Sequence, residues 1–157
     1  MNEHMVKQWN SVVSPNDIVF HIGNIAIGNV NEIKEILQAL NGKINLIAGN
    51  HDTKGSSLAC RERFSTVNYK LEIEIDGQMV TMNHYPQFWW NGLESGAMMI
   101  HGHLCGQTPT MQDKRIFDAG ADNVDDYIPM HYQEVCDVLE EKIPQDTLDN
   151  DTWRIEL

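Results

Sequence analysis

Four short blocks of the chain are rich in histidine, asparagine and aspartate, whose side chains offer imidazole nitrogens and oxygens to divalent cations. The blocks are His21-Ile22-Gly23-Asn24, Gly49-Asn50-His51-Asp52, Asn83-His84-Tyr85-Pro86 and His101-Gly102-His103-Leu104-Cys105. Imidazole and carboxyl groups also act as general acids and bases. The residue types therefore indicate a metal centre with an acid–base partner, provided that the fold brings the four blocks together.

The order of these blocks resembles the calcineurin-like metallophosphoesterase family. In that family the pattern is D-x-H, G-D, G-N-H-D or G-N-H-E, an isolated histidine, and G-H-x-H. The resemblance covers Ile18 to Gly106, and it implies phosphoester hydrolysis with two cations roughly 3.5–4 Å apart. The chain departs from the pattern in three places: no D-x-H lies upstream, Asn24 replaces the bridging aspartate, and Cys105 replaces the second histidine of the last motif.

The resemblance also implies a ligand set. It assigns Asn50, His84 and His103 to the second metal, and places Asn24 at the bridging position. An amide carries no charge, so Asn24 should weaken a site for two divalent cations. Cys105 is a zinc ligand only as a thiolate, and its motif supplies no neighbouring ligand. We therefore expect at most one divalent metal ion, whether manganese, zinc or iron.

His51 corresponds to the catalytic acid of the resembled family, and Asp52 to the group that orients its imidazole. The resemblance thus predicts a metallophosphoesterase-like protein with a degenerate two-metal centre, impaired or inactive as a hydrolase of a phosphoester substrate. The alternative is a non-catalytic acidic binding protein or inhibitor that uses the same fold to bind a basic protein partner. The sequence leaves open whether the chain is an enzyme.

Length, cysteine content and net charge limit the cellular compartments and binding partners that are plausible. The length suits a single domain over residues 1–157. Three widely spaced cysteines form neither a disulfide framework nor a C-x-x-C motif, and no apolar run reaches the length of a membrane span, so a cytoplasmic location is predicted. The formal charge of −12 argues against direct nonspecific nucleic-acid binding, which depends on Lys and Arg, and would suit a basic protein surface.

The elements that must position the blocks are short apolar strands and amphipathic helices. Helices are predicted over residues 2–13, 31–40 and 131–142, strands over 18–22, 44–48, 97–100 and 115–117, and a hairpin over 69–75 and 79–82. This order predicts an α/β fold, a layered sandwich of two mixed β-sheets flanked by helices. The resemblance implies the same architecture with its first strand missing. The blocks follow strand ends, where open α/β sheets place ligands.

Two features leave alternatives open. Phe88, Trp89 and Trp90 follow the third block, and they either pack in the core, wall a substrate cleft, or anchor a protein partner. A missing first strand would leave backbone groups of the neighbouring strand uncovered. We expect self-association into a homo-oligomer, a partner, or the C-terminal segment around Trp153 to fill that gap.

Overall fold

The computed structural model describes residues 2–52, 56–105, 107 and 114–140. Within these residues three α-helices and seven strands alternate along the chain. They are α1 Asn2–Val12, β1 Ile18–His21, α2 Val30–Ala39, β2 Lys43–Ile47, β3 Phe64–Asn68, β4 Lys70–Ile75, β5 Gln78–Asn83, β6 Met98–His101, β7 Ile116–Asp118 and α3 Tyr132–Glu140. The C-terminal segment around Trp153 and the last two residues of the predicted third helix lie outside the described residues.

The first sheet has the order β1-β2-β3, and its three strands run parallel. The prediction of two mixed sheets is therefore wrong for this sheet. Helix α2 and the 3-10 segment Ser56–Arg63 each carry the chain back before the next strand begins, and such crossovers produce parallel neighbours. Strand β3 was not predicted, because Phe-Ser-Thr-Val-Asn has neither a continuous apolar run nor strict alternation.

The second sheet has the order β4-β5-β6-β7 and is mixed. Strands β4 and β5 form the predicted antiparallel hairpin, with Leu71 opposite Met82 and Ile75 opposite Gln78. Strand β6 pairs in parallel with both β5 and β7. The chain therefore has a layered α/β fold with two sheets.

The core shows how the layers stack. One apolar cluster joins residues of the first sheet, the second sheet and α3; it includes Ile47, Met82, Ile100 and Leu139. A second cluster lies between the first sheet and α2, and a third covers the other face of the second sheet around Trp90. Because both sheets share the first cluster, the ends of their strands are held close to one another.

Helix α1 is fastened to the end of α2 by side-chain hydrogen bonds. The Trp9 Nε1–H donates to the Asn41 carbonyl at 3.0 Å, and the Asn41 amide donates to the Val13 carbonyl at 3.0 Å.

Strand β1 is an edge strand of its sheet. In the part of the chain that the structure describes, every helix is too short or too polar to cross a membrane.

Candidate metal centre

Four loops converge at the carboxyl ends of β1, β2, β5 and β6. Each of the four sequence blocks begins at one of these strand ends or within two residues of it. Parallel strands end at the same edge of a sheet, and the shared core brings the two edges together. Six of the seven predicted site residues are joined here by hydrogen bonds or ring contacts; they are Asn24, Asn50, His51, Asp52, His84 and His103.

Two asparagine amides form the centre of this site. The His51 backbone N–H donates to Asn24 Oδ1 at 3.0 Å, so the Asn24 NH₂ must point the other way. That NH₂ donates to Asn50 Oδ1 at 3.3 Å. The carbonyl oxygen of Asn50 accepts this bond and lies inside the site.

The same Asn50 oxygen faces the buried imidazole of His84. His84 Nδ1 lies 2.9 Å from the Ile22 carbonyl oxygen, so Nδ1 carries a proton and donates it. In the neutral imidazole, Nε2 then presents a lone pair, and this atom lies 3.0 Å from Asn50 Oδ1. Burial lowers the pKa of His84, and the neighbouring His103 adds to that effect. Two lone pairs thus face each other, an arrangement that a cation would stabilise.

Close backbone approach holds the His84 ring in this position. A Cβ placed on Gly23 would lie 2.4 Å from His84 Nδ1, and one on Gly49 would lie 2.8 Å from Nε2 and 2.4 Å from Asn24 Oδ1. The Gly102 N–H donates to the His84 carbonyl at 3.1 Å. Glycine is required at positions 23 and 49 because any side chain there would enter the space that the imidazole and amide occupy.

Asp52 connects two of the loops through backbone hydrogen bonds. Its side chain is fully buried, and Oδ2 accepts from the backbone N–H groups of Asn24 at 2.6 Å and Gly49 at 2.8 Å. Oδ1 accepts from the Ile25 N–H at 3.2 Å. The resemblance implied that Asp52 orients His51, and that role stays a prediction. In the structure the Asp52 carboxylate is the acceptor that fixes the loops carrying Asn24 and Asn50.

His103 and Cys105 differ in their relation to the site. The His103 ring lies edge-on to His84 with 5.1 Å between centroids, on a backbone with φ of 73°. The Cys105 Sγ lies instead 3.7 Å from the His103 carbonyl oxygen, and the thiol is hydrogen-bonded to the carboxylate of Asp122. Local desolvation and then Asp122 raise the pKa of this thiol. The thiol form is therefore favoured over the thiolate that metals bind.

Two donor atoms of the site are close enough to share one divalent cation. Imidazole nitrogen and oxygen ligands bind zinc at about 2.0–2.2 Å, so atoms 3.0 Å apart, such as His84 Nε2 and Asn50 Oδ1, can both reach one ion. Among the residues that the structure describes, no three His, Cys, Asp or Glu side chains form a metal-binding group. The oxygen donors at this site are amides, and the two imidazoles are those of His84 and His103.

His21 lies beside the site as a partly buried imidazole stacked on Trp9, with 6.3 Å between ring centroids. Its Nδ1 is buried and has no hydrogen-bond partner among the described residues. Burial lowers the pKa of His21 from 6.5 to about 4, despite the opposing influence of Asp52. The protein therefore keeps this ring neutral under conditions in which an unfolded chain would protonate it.

This shift predicts a pH dependence of stability. Between pH 6.5 and about 4 the unfolded chain binds one more proton at His21, so the free energy of unfolding falls as the pH falls; the contribution is about 2–3 kcal/mol. A His21→Phe variant, which keeps a ring against Trp9, should be less sensitive to acid than the natural chain. Urea unfolding at pH 7 and pH 4.5 measures the free energy of unfolding of each protein. An equal decrease between these pH values in both proteins would contradict the lowered pKa of His21.

Comparison with known proteins places the chain beside relatives whose names assign no activity. No protein-family model matches. The uncharacterized protein MJ1445 of Methanocaldococcus jannaschii is 32% identical over 105 residues, 66% of this chain and 52% of that protein, so the chain spans about half the length of this relative. The Gene 66 protein of Mycobacterium phage D29 is 25% identical over 167 aligned positions, covering 88% of this chain and 84% of that protein.

A solved structure shares the fold. The protein of unknown function AQ665 from Aquifex aeolicus superposes with a TM-score of 0.69 at 21% sequence identity. The superposition covers 87% of this chain and 84% of that one. At this level of identity the likeness supports the layered α/β architecture and carries no statement about chemistry.

Sequence reasoning missed one side chain of the site. The Tyr85 ring lies edge-on to both imidazoles, 5.1 Å from His84 and 4.6 Å from His103 between centroids. Its only signal in the sequence is its place next to His84. The three aromatic residues at positions 88–90 differ in burial. Trp90 is buried in the core, whereas Phe88 and Trp89 are exposed.

Proposed function

We propose that this protein is a metallophosphoesterase-like protein that binds one divalent cation and is impaired as a phosphoester hydrolase. The residues that would hold the cation are Asn50, His84 and His103. A cation bound there would supply a Lewis acid for a phosphoryl oxygen. The chain itself would position that group between the imidazoles and the exposed His51 at the rim of the site.

One observation carries the proposal. His84 donates through Nδ1 to the Ile22 carbonyl, so the lone pair of Nε2 is directed at Asn50 Oδ1, which lies 3.0 Å away. Without a cation between them, these two electron-rich atoms would repel each other unless His84 took a second proton. Burial lowers the pKa of His84 and so opposes that second proton, whereas a bound metal ion would stabilise the pair.

The impaired activity follows from the role of Asn24. Both ends of its amide are already used, since Oδ1 accepts from the His51 N–H and the NH₂ donates to Asn50 Oδ1. A neutral amide cannot offset the charge of a second cation as a bridging carboxylate would. Loss of one metal from a two-metal reaction should cost several kcal/mol of transition-state stabilisation, and each 1.36 kcal/mol is tenfold in rate.

Titration with Mn²⁺ by calorimetry tests this function, together with hydrolysis of bis(p-nitrophenyl) phosphate. We expect one ion per chain and slow turnover. The variant Asn24→Asp should bind Mn²⁺ at least about tenfold more tightly, since a nearby unit charge adds more than 1.4 kcal/mol at partly buried sites. Without metal it should unfold several degrees lower, because a donor to Asn50 Oδ1 becomes an acceptor.

The control is Asn29→Asp, which adds the same charge at the N-cap of α2, where the Asn29 side chain accepts from the Glu32 N–H at 3.0 Å. A carboxylate caps a helix as well as an amide does, so metal binding and melting should stay near the natural values. Two ions per chain with rapid turnover in the natural protein would overturn the proposal, and so would an Asn24→Asp variant that gains no metal affinity.

The formal charge of −12 favours a second candidate, a non-catalytic protein that binds a basic partner surface by electrostatic attraction. The same titration separates the two, because this candidate requires no metal. Absence of Mn²⁺ binding, with a salt-dependent association to a basic protein, would replace the first proposal by the second.

A further inference from the structure

The loop that carries His103 has an unusual backbone. His103 has φ of 73°, and the Leu104 N–H donates to the Gly102 carbonyl at 2.9 Å. A hydrogen bond between residues two apart, across a residue with positive φ, defines the rarer and more strained of the two γ-turns. A residue other than glycine keeps such a backbone only where the surrounding structure enforces it. The turn therefore fixes the place of the His103 Cβ, whereas the direction of the imidazole depends on side-chain contacts.

The two imidazoles of the site are held in different ways. His84 is buried, and its Nδ1–H donates to the Ile22 carbonyl at 2.9 Å. Imidazoles that bind metals are usually oriented by a hydrogen bond of this kind from the second ring nitrogen. His103 is exposed, and among the residues that the structure describes no group forms a hydrogen bond with its ring. It packs instead against two other rings, those of His84 and Tyr85.

Tyr85 makes the closer of these two ring contacts. Its ring lies 4.6 Å from the His103 ring at an interplanar angle of 64°, and 5.1 Å from the His84 ring at 70°, with the distances taken between centroids. Rings in edge-to-face contact attract one another in addition to the burial of their area. No described residue forms a hydrogen bond with the Tyr85 hydroxyl, so the ring itself makes the contact.

The backbone that carries the Tyr85 ring is fixed on both sides. The Tyr85 N–H donates to Asn83 Oδ1 at 2.9 Å, and the proline that follows, Pro86, restricts Tyr85 to an extended backbone. The residue before it is the buried His84, whose ring is fixed by the Ile22 carbonyl. Tyr85 is therefore a firm support for a neighbouring imidazole that has no hydrogen-bond partner of its own.

We propose that Tyr85 is a positioning residue of the metal centre, whose ring replaces the hydrogen bond that would otherwise orient His103 and directs that imidazole toward the space beside His84. This inference rests on the function proposed above, in which both imidazoles are ligands. Holding His103 in one orientation before the ion arrives reduces the entropy lost on binding. An aromatic pair of this kind favours the held orientation by about three- to tenfold. The role belongs to the ring and not to the hydroxyl.

Calorimetric titration of the full chain with Mn²⁺ tests the effect on affinity. Tyr85→Leu keeps bulk against His103 but removes the ring, and it should weaken Mn²⁺ binding by about three- to tenfold. Tyr85→Phe keeps the ring and should restore the natural affinity. Tyr69→Leu, which removes an exposed tyrosine between β3 and β4, should leave the affinity unchanged. Thermal melting shows whether each variant is folded.

Nuclear magnetic resonance of the metal-free chain gives a second readout that does not depend on the ion. The ring protons of His103, identified by their loss in His103→Ala, should be displaced from their positions in urea by the ring currents of the neighbouring rings. Tyr85→Leu should move these signals toward the positions in urea, whereas Tyr85→Phe and Tyr69→Leu should not. A general loss of stability would not reproduce this pattern.

The outcomes are distinguishable. Equal Mn²⁺ affinity of the natural chain and Tyr85→Leu overturns the positioning role and leaves the proposed function standing. Unmoved His103 signals in Tyr85→Leu overturn that role as well. A Tyr85→Phe variant that binds as weakly as Tyr85→Leu also overturns it, because the hydroxyl would then carry the effect. A natural chain that binds no Mn²⁺ overturns the proposed function and this inference with it.

Discussion

Replacing Asp52 with alanine should lower the free energy of unfolding by about 3–5 kcal/mol, a large share of the roughly 5–15 kcal/mol typical of a domain. The Asp52 carboxylate is fully buried and accepts three backbone N–H groups, those of Asn24, Ile25 and Gly49. Alanine would leave all three donors without this acceptor. Each buried donor left in that state costs about 1–3 kcal/mol.

Urea unfolding measures the effect, and two further variants keep the result interpretable. Asp52→Asn can keep a carbonyl oxygen at the Oδ2 position, where two of the three bonds are made, so it should lose less stability than alanine. Asp17→Ala removes an exposed carboxylate that accepts one backbone N–H, that of Ser14, at 2.8 Å. Its cost should stay near 1 kcal/mol. An Asp52→Ala loss no greater than that of Asp17→Ala would contradict the role assigned to Asp52.

The second large effect concerns metal affinity. His84→Ala should weaken Mn²⁺ binding by at least about 100-fold, because it removes the one imidazole whose lone pair is directed at Asn50 Oδ1 by a fixed tautomer. Mutating a group that only hydrogen-bonds a metal ligand already lowers metal affinity by about 10–100-fold, and removing the ligand itself should lower it more. Calorimetric titration at pH 7 gives the affinity, and thermal melting shows whether the variant is folded.

The matched control is His131→Ala, since His131 is an exposed histidine at the start of α3. Its removal should leave Mn²⁺ affinity unchanged. Lowering the pH should weaken Mn²⁺ binding to the natural chain, as the His84→Ala substitution does, because an imidazolium cannot ligate a metal. The lowered pKa of His84 places that loss of affinity below the pH range of an ordinary histidine. A folded His84→Ala variant with natural affinity would remove His84 from the site.

Much of the fold could be predicted from local patterns. Apolar residues at helical spacing in α2, and the alternation of Leu71, Ile73 and Ile75 with charged residues in β4, specify those elements directly. Strand β3 could not be found this way. Phe64 and Val67 are its only apolar residues, and its strand character depends on parallel pairing with β2, a contact that tertiary structure supplies.

The candidate site was likewise predictable only in part. The motifs indicated which loops should meet, since each follows a strand end, and residue types alone indicated imidazole and amide donors. The direction of each donor was not predictable. The contacts that set it join residues far apart in sequence, such as His84 with Ile22 and Asn50, and Asp52 with Asn24. Cys105 likewise turns toward Asp122 because of where that later segment lies.

The sequence by itself determined the chemical inventory: imidazole and amide side chains on loops after strands, an amide where the resemblance implies a bridging carboxylate, and a net charge of −12. Only the tertiary structure decided that the lone pairs of His84 and Asn50 face each other at 3.0 Å and that Tyr85 lies against both imidazoles. The reason is physical. Side-chain identity sets what an atom can donate or accept, whereas its direction depends on the other partners that the folded chain brings to it.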